Sequence, residues 1–171
     1  MSADEFSKQQ YLTLRDEIRA SKARIFTILI LGTLFVPAVS FVAQQYDALF
    51  ASASVPFLLM VLMLAFVMEQ NSIVRAGKYL KEHVEPKIEG MVTWEHWLES
   101  NHHLRDVDRY FFASFLIVFL LFYAITTGIA IESLAKPYPE HYWYSVAAYA
   151  IGGLWFVVVW LGHWRTCTST K

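Results

Sequence analysis

Apolar and charged stretches alternate along this chain in blocks, and the apolar blocks have the length of membrane spans. Ile25 to Ala43 (IFTILILGTLFVPAVSFVA) is uncharged over 19 residues. A helix of about 20 apolar residues crosses the hydrocarbon core of a bilayer. Tyr110 to Ile131 is a second uncharged run, rich in Phe. Tyr142 to Leu161 is a third, with Trp143 and Trp160 near its ends. Aromatic rings at both interfaces suit a spanning helix. One further block, Val55 to Met68, is strongly apolar but only 14 residues long. Two readings of it are open. The helix starts near Ala48, with Ser52 and Ser54 in the outer leaflet, or it starts with Ser54 as N-cap and Pro56 in the first turn. In the second case Glu69, Gln70 and Asn71 fall within the inner boundary of the membrane.

The pattern predicts an all-α chain: a four-transmembrane-helix bundle with helices extended into a small cytosolic helical region. The expected order is a cytosolic N-terminal helix (1–24), spans at 25–43 and 48–68, a cytosolic helical segment (69–109), spans at 110–131 and 142–163, and a cytosolic tail (164–171). Glu5 to Arg24 has no Gly or Pro, and Tyr11, Leu14, Ile18 and Ile25 share one helical face. Glu69 to Val84 continues the second span, with Ile73, Leu80 and Val84 on one face. Pro86 should stop it. Gly90 marks a turn, and Thr93 is a candidate N-cap for a short helix bearing Trp94, Trp97 and Leu98. The apolar stripes need a partner, either one another or a second copy of the protein.

Composition supports this picture. Hydrophobic residues make up 56% and charged residues 17%, where soluble domains carry about 25% charged residues. The net charge of -1 argues against a general affinity for nucleic acid. The single cysteine, Cys167, permits no intramolecular disulfide. Of the 14 basic residues, 13 fall in the N-terminal segment, the 69–109 segment and the tail, and the other two connections hold only Lys136. The positive-inside rule then places both termini in the cytosol. The first run follows 24 residues that include Asp4, Glu5, Asp16 and Glu17, unlike a cleavable signal peptide.

Four groups of residues are candidates for function. Glu69, Gln70 and Asn71 sit at the inner end of span two, and a carboxylate at membrane depth is costly. An interfacial ion pair with Arg24, Arg109 or Arg165 is the plain reading, and a gating cluster of Glu69, Gln70, Asn71 and Arg109 the sharper one. His96, Glu99 and His103 share a face if their stretch is helical, and are suitable zinc or iron ligands. They lack a clear fourth ligand and match no H-E-x-x-H signature, so the default is a solvated cluster and no cofactor. Trp94 and Trp97 suit docking to a membrane surface or packing under the bundle. Gly152, Gly153 and Gly128 allow close helix approach or an oligomer interface, and Pro37 should bend span one. The three clear spans contain no Asp, Glu, Lys, Arg or His, the residues an ion-coupled transporter places near the midplane.

The segment Val67 to Trp97 carries Arg75-x-Gly77-Lys78-Tyr79-Leu80, then Glu85-Pro86, then Trp94-Glu95-x-Trp97-Leu98. It resembles small bacterial four-span integral membrane proteins of unassigned function, which implies residence in a bacterial inner membrane. Some small multi-span bacterial proteins of this general design are effectors in defence against phage, an analogy of architecture alone.

The expected function is that of a non-enzymatic homo-oligomer in the lipid bilayer, whose cytosolic helices bind a cytosolic protein or small-molecule signal and whose spans form a pore or perturb the membrane. A metal-dependent membrane enzyme built on the His/Glu cluster and a membrane scaffold or assembly factor are the alternatives. The topology is testable by cysteine labelling in a Cys167→Ser background. In intact cells an impermeant maleimide should label Lys136→Cys from outside, and Lys78→Cys only after lysis. The reverse pattern would invert the orientation.

Overall fold

The computed structural model describes residues 3–46, 48–88, 94, 97 and 101–168, with side chains except at 3–4, 102–109 and 163–168. Among the described residues the chain is helical and holds no strand. Helix α1 is Ala3–Ile30, followed by a π turn (Leu31–Phe35) and α2 (Val36–Gln45). Helix α3 is Leu49–Tyr79, followed by a second π turn (Leu80–Val84) and a 3-10 turn (Glu85–Lys87). Helix α4 is His102–Ala135. A 3-10 turn (Pro139–His141) leads into α5 (Tyr142–Thr168). Four helical segments are long and apolar enough to cross a membrane.

Proline explains the two π turns. Pro lacks the N–H that would bond to the carbonyl four residues back, and its ring presses on that carbonyl. The chain widens by one residue just before Pro37 and again before Pro86. The preceding residue donates five back in each case, Val36 N–H to Leu31 O and Glu85 N–H to Leu80 O. Pro56 is treated differently. It lies inside α3, which starts at Leu49. Ser54 therefore caps nothing, and its hydroxyl donates back to Ala51 O at 3.0 Å. The longer reading of the second span is the one the chain adopts. The candidate cap Thr93 and the turn at Gly90 lie outside the described residues.

The described helices form two compact units. The first combines Met1–Thr27 with Met68–Ala113. Its core is Ile18, Leu80, Val84 and Ile88, with Tyr11, Leu14, Ile73 and Ala76 packed around them. The two apolar stripes thus cover one another. Gln10 Nε2 donates to Tyr79 Oη at 3.0 Å on the edge of this core.

The second unit combines Ile28–Val67 with Ser114–Lys171. Phe66 packs against Phe115 and Phe119, with ring centroids 6.4 and 6.1 Å away. Tyr123 Oη donates to Tyr149 O at 2.7 Å, and Tyr149 Oη donates to Ala53 O at 2.8 Å. Two tyrosines thus tie α3, α4 and α5 through backbone carbonyls. Small residues make this possible. A Cβ on Gly152 would lie 2.6 Å from Tyr123 Oη and 2.9 Å from Met60 Sδ. A Cβ on Gly32 would lie 2.7 Å from Cζ of the buried Phe119. Gly153 makes ordinary contact, and nothing lies within 4 Å of a Cβ on Gly128.

This sorts the glycines experimentally. Gly32→Ala should overpack the site at a cost of about 1–3 kcal/mol, whereas Gly128→Ala should leave stability unchanged or raised. Tyr149→Phe should cost about 0.6–2 kcal/mol, the range for a polar contact in an apolar surround. Thermal unfolding in a single detergent checks the order. Equal effects of Gly32→Ala and Gly128→Ala would contradict it.

Candidate functional site

The charged residues nearest the first two apolar runs come together in the first unit. Arg24 immediately precedes the 25–43 run and Glu69 immediately follows the 48–68 run. Arg24 Nε donates to Glu69 Oε1 at 2.7 Å and Nη2 to Glu69 Oε2 at 2.9 Å. This is the two-pronged pairing that a planar guanidinium makes with a carboxylate. Arg24 Nη2 also donates to Ser21 Oγ at 2.9 Å. Ser21 is buried, one helical turn before Arg24. It occupies a position on the apolar stripe of α1, between Ile18 and Ile25, where a larger apolar side chain would bring no acceptor to the guanidinium.

The geometry sets the electrostatics. Arg24's hydrogen bonds hold the Glu69 carboxyl below the ordinary glutamate value of 4.5, against the opposing effect of burial, with Ser21 adding to the lowering. The same pairing pushes the Arg24 guanidinium up. Both groups stay charged through the physiological range. The Glu69 side chain is 22% exposed and that of Arg24 53%. The arrangement is a fork-shaped clamp between α1 and α3 at the ends of two apolar runs.

The other sequence candidates fall as follows. Gln70 and Asn71 are half-buried and follow Glu69 on α3; the Asn71 carbonyl accepts from Arg75 Nε at 3.3 Å. Arg109 lies in α4, but its side chain is outside the description, so the fourth member of the predicted gating cluster is not placed. His96 and Glu99 lie outside the described residues. His103 lies in the first turn of α4 with its side chain undescribed. Among the described residues no group of three His, Cys, Asp or Glu is arranged to hold a metal. Trp94 and Trp97 stack at 5.2 Å, and the Arg15 guanidinium lies over the rings of Tyr11 (5.2 Å) and Trp94 (6.0 Å). Asn101 Nδ2 donates to Trp97 O at 2.9 Å.

The second unit has a hydroxyl-lined recess between Ser40, Ser52, Val55, Thr126 and Ile129. Its empty volume is about 170 Å³, part of it open to the surroundings, and it is too narrow for a water molecule. Ser40 Oγ donates to Val36 O and Thr126 Oγ1 to Phe122 O, both at 2.8 Å. These hydroxyls are satisfied by their own helices.

No protein-family model, curated protein or solved structure matches the chain.

The clamp makes a sharp prediction. Arg24→Gln and Glu69→Gln should each lower the midpoint of thermal unfolding by on the order of a few degrees. The exchange Arg24→Glu with Glu69→Arg should recover part of that loss. Because pairing depresses the Glu69 pKa, the stabilisation is present above the ordinary glutamate value and is lost as pH falls through the depressed one. An acid limb in the wild type that survives in Glu69→Gln would refute this origin.

Proposed function

We propose that the chain is a non-enzymatic homo-oligomer of a bacterial inner membrane: a four-helix membrane bundle with both termini in the cytosol. Segments 1–24 and 69–109 receive a cytosolic protein or small-molecule signal. The spans assemble around a pore, or perturb the bilayer, as an effector does. The reading rests mainly on how unevenly the spans are covered. Of each span's most apolar window, 11%, 39%, 28% and 17% is buried, in chain order. The first and last spans keep large side chains exposed, among them Leu34, Phe35, Phe41, Ile151, Leu154 and Trp155. In a bilayer such faces meet lipid or another copy, and small and aromatic residues favour close helix contacts there.

The hydroxyl recess is closed to water within one protomer, so on this reading a conducting path lies between protomers. The clamp sits where the first two spans leave the apolar layer, a position from which the pair can hold one arrangement of those helices.

Imaging of the purified protein in lipid nanodiscs should show rings of several copies, and liposomes that contain it should release trapped dye. A monomer in sealed liposomes rejects both parts of the proposal. A closed dimer without leakage keeps the oligomer and rejects the pore.

A further inference from the structure

Helix α1 carries a second exposed face beside its buried one. Lys8, Leu12, Arg15, Arg19 and Lys22 follow one another at steps of three or four, so they line one side of the helix. Lys8, Leu12, Arg19 and Lys22 are exposed. Asp16 is the acidic neighbour on this side and pairs with Arg19 at 3.4 Å, both side chains being largely solvated. Beside Arg15 stand Trp94 and Trp97, 48% and 43% exposed, and Leu12 is 62% exposed. All of these lie outside the apolar runs, where exposed tryptophan and leucine face water rather than lipid.

We infer that this face, Lys8, Arg15, Arg19 and Lys22 with Leu12, Trp94 and Trp97 as apolar anchors, docks an acidic amphipathic helix of a partner protein. Charge complementarity names the sign of the partner, and length decides between partners. From Lys8 to Lys22 the stripe runs about 21 Å along the helix axis, and Lys8 is about 25 Å from Ile25, the start of the apolar run. A headgroup layer is about 5–7 Å deep on each side, so an anionic lipid surface reaches Lys22 and leaves most of the stripe untouched. A helix laid alongside reaches all of it, with acidic and apolar residues at the same three- and four-residue steps. The inference rests on the proposed signal-receiving role and identifies the chemistry of the signal.

The test uses the full chain in phosphatidylcholine nanodiscs and a fluorescent synthetic helix with Glu on one face and Leu on the other. Saturable, salt-sensitive binding is expected. The exposed double variant Arg19→Gln/Lys22→Gln should weaken it about three- to tenfold, two solvated charge pairs being lost. Trp97→Ala should weaken it without changing the salt dependence. Lys22→Gln alone provides a milder version if the double variant unfolds. No binding, equal binding by the charge variants, or equal binding of a Lys-faced control helix overturns the inference. So does a stripe that binds phosphatidylglycerol vesicles or a DNA oligonucleotide in preference to the Glu-faced helix. Helix binding by a monomer that never leaks rejects the pore and leaves this face standing. A leaking oligomer that ignores the helix rejects the face alone.

Discussion

A chain that enters hydrocarbon must satisfy its own backbone, because no water is available to do it. That constraint explains why every described apolar run is helical, and why its prolines matter. Pro37 and Pro56 both fall inside apolar runs and each removes one N–H from the ladder. Before Pro37 the helix widens into a π turn, at the place where Gly32 lies against the buried ring of Phe119. In α3 the helix carries Pro56 without such a turn, three residues beyond the Ala53 carbonyl that accepts from Tyr149. Tyrosine hydroxyls and missing side chains thus do in the apolar unit what solvent does elsewhere.

The same constraint makes the ends of the runs chemically special. Charge begins abruptly at Arg24 and Glu69, on two different helices. An isolated carboxylate there would bear a desolvation penalty, and an arginine fork with a serine behind it offsets that penalty with directed hydrogen bonds. Beyond this level the helices bury ordinary apolar stripes against each other. Ile18 meets Leu80 and Val84 in a small core of the kind found in soluble helix pairs. One helix, α1, therefore changes environment along its length without breaking.

Much of this was legible in the sequence because it depends on period and length. The four spans follow from run length. The stripes Tyr11–Leu14–Ile18 and Ile73–Leu80–Val84 follow from helical spacing, and the structure resolves whether each covers the other or waits for a second copy. The fork was half legible. Glu69 stood out by its position, but three arginines were eligible, and choosing Arg24 needs three-dimensional placement. Ser21 left a faint signal, a small polar residue at an apolar-stripe position. The π turns were not legible as such: proline predicts a disturbance, while its form depends on packing around it. Gly32 was passed over and Gly128 singled out because a glycine in a span looks the same in sequence whether it faces Phe119 or open space. Nothing in periodicity could single out Tyr123 and Tyr149 from the other aromatic residues of the spans.

These features converge on α1. The helix carries the basic face at Lys8 to Lys22, then the clamp at Arg24, then the span whose apolar window is the least covered of the four. Arg15 to Arg24 is nine residues of continuous helix, about 14 Å, with no glycine or proline to absorb a push or a twist. The first interruption along this path is the π turn at Leu31–Phe35. An occupant on the basic face would thus act on a rigid rod held by one ion pair, and displacement of that rod would first be taken up inside the apolar run. On the proposed reading, that makes Arg24 and Glu69 the pair whose making and breaking separates two arrangements of the first span. A purely structural pair would stabilise the fold without coupling partner binding to the membrane segment.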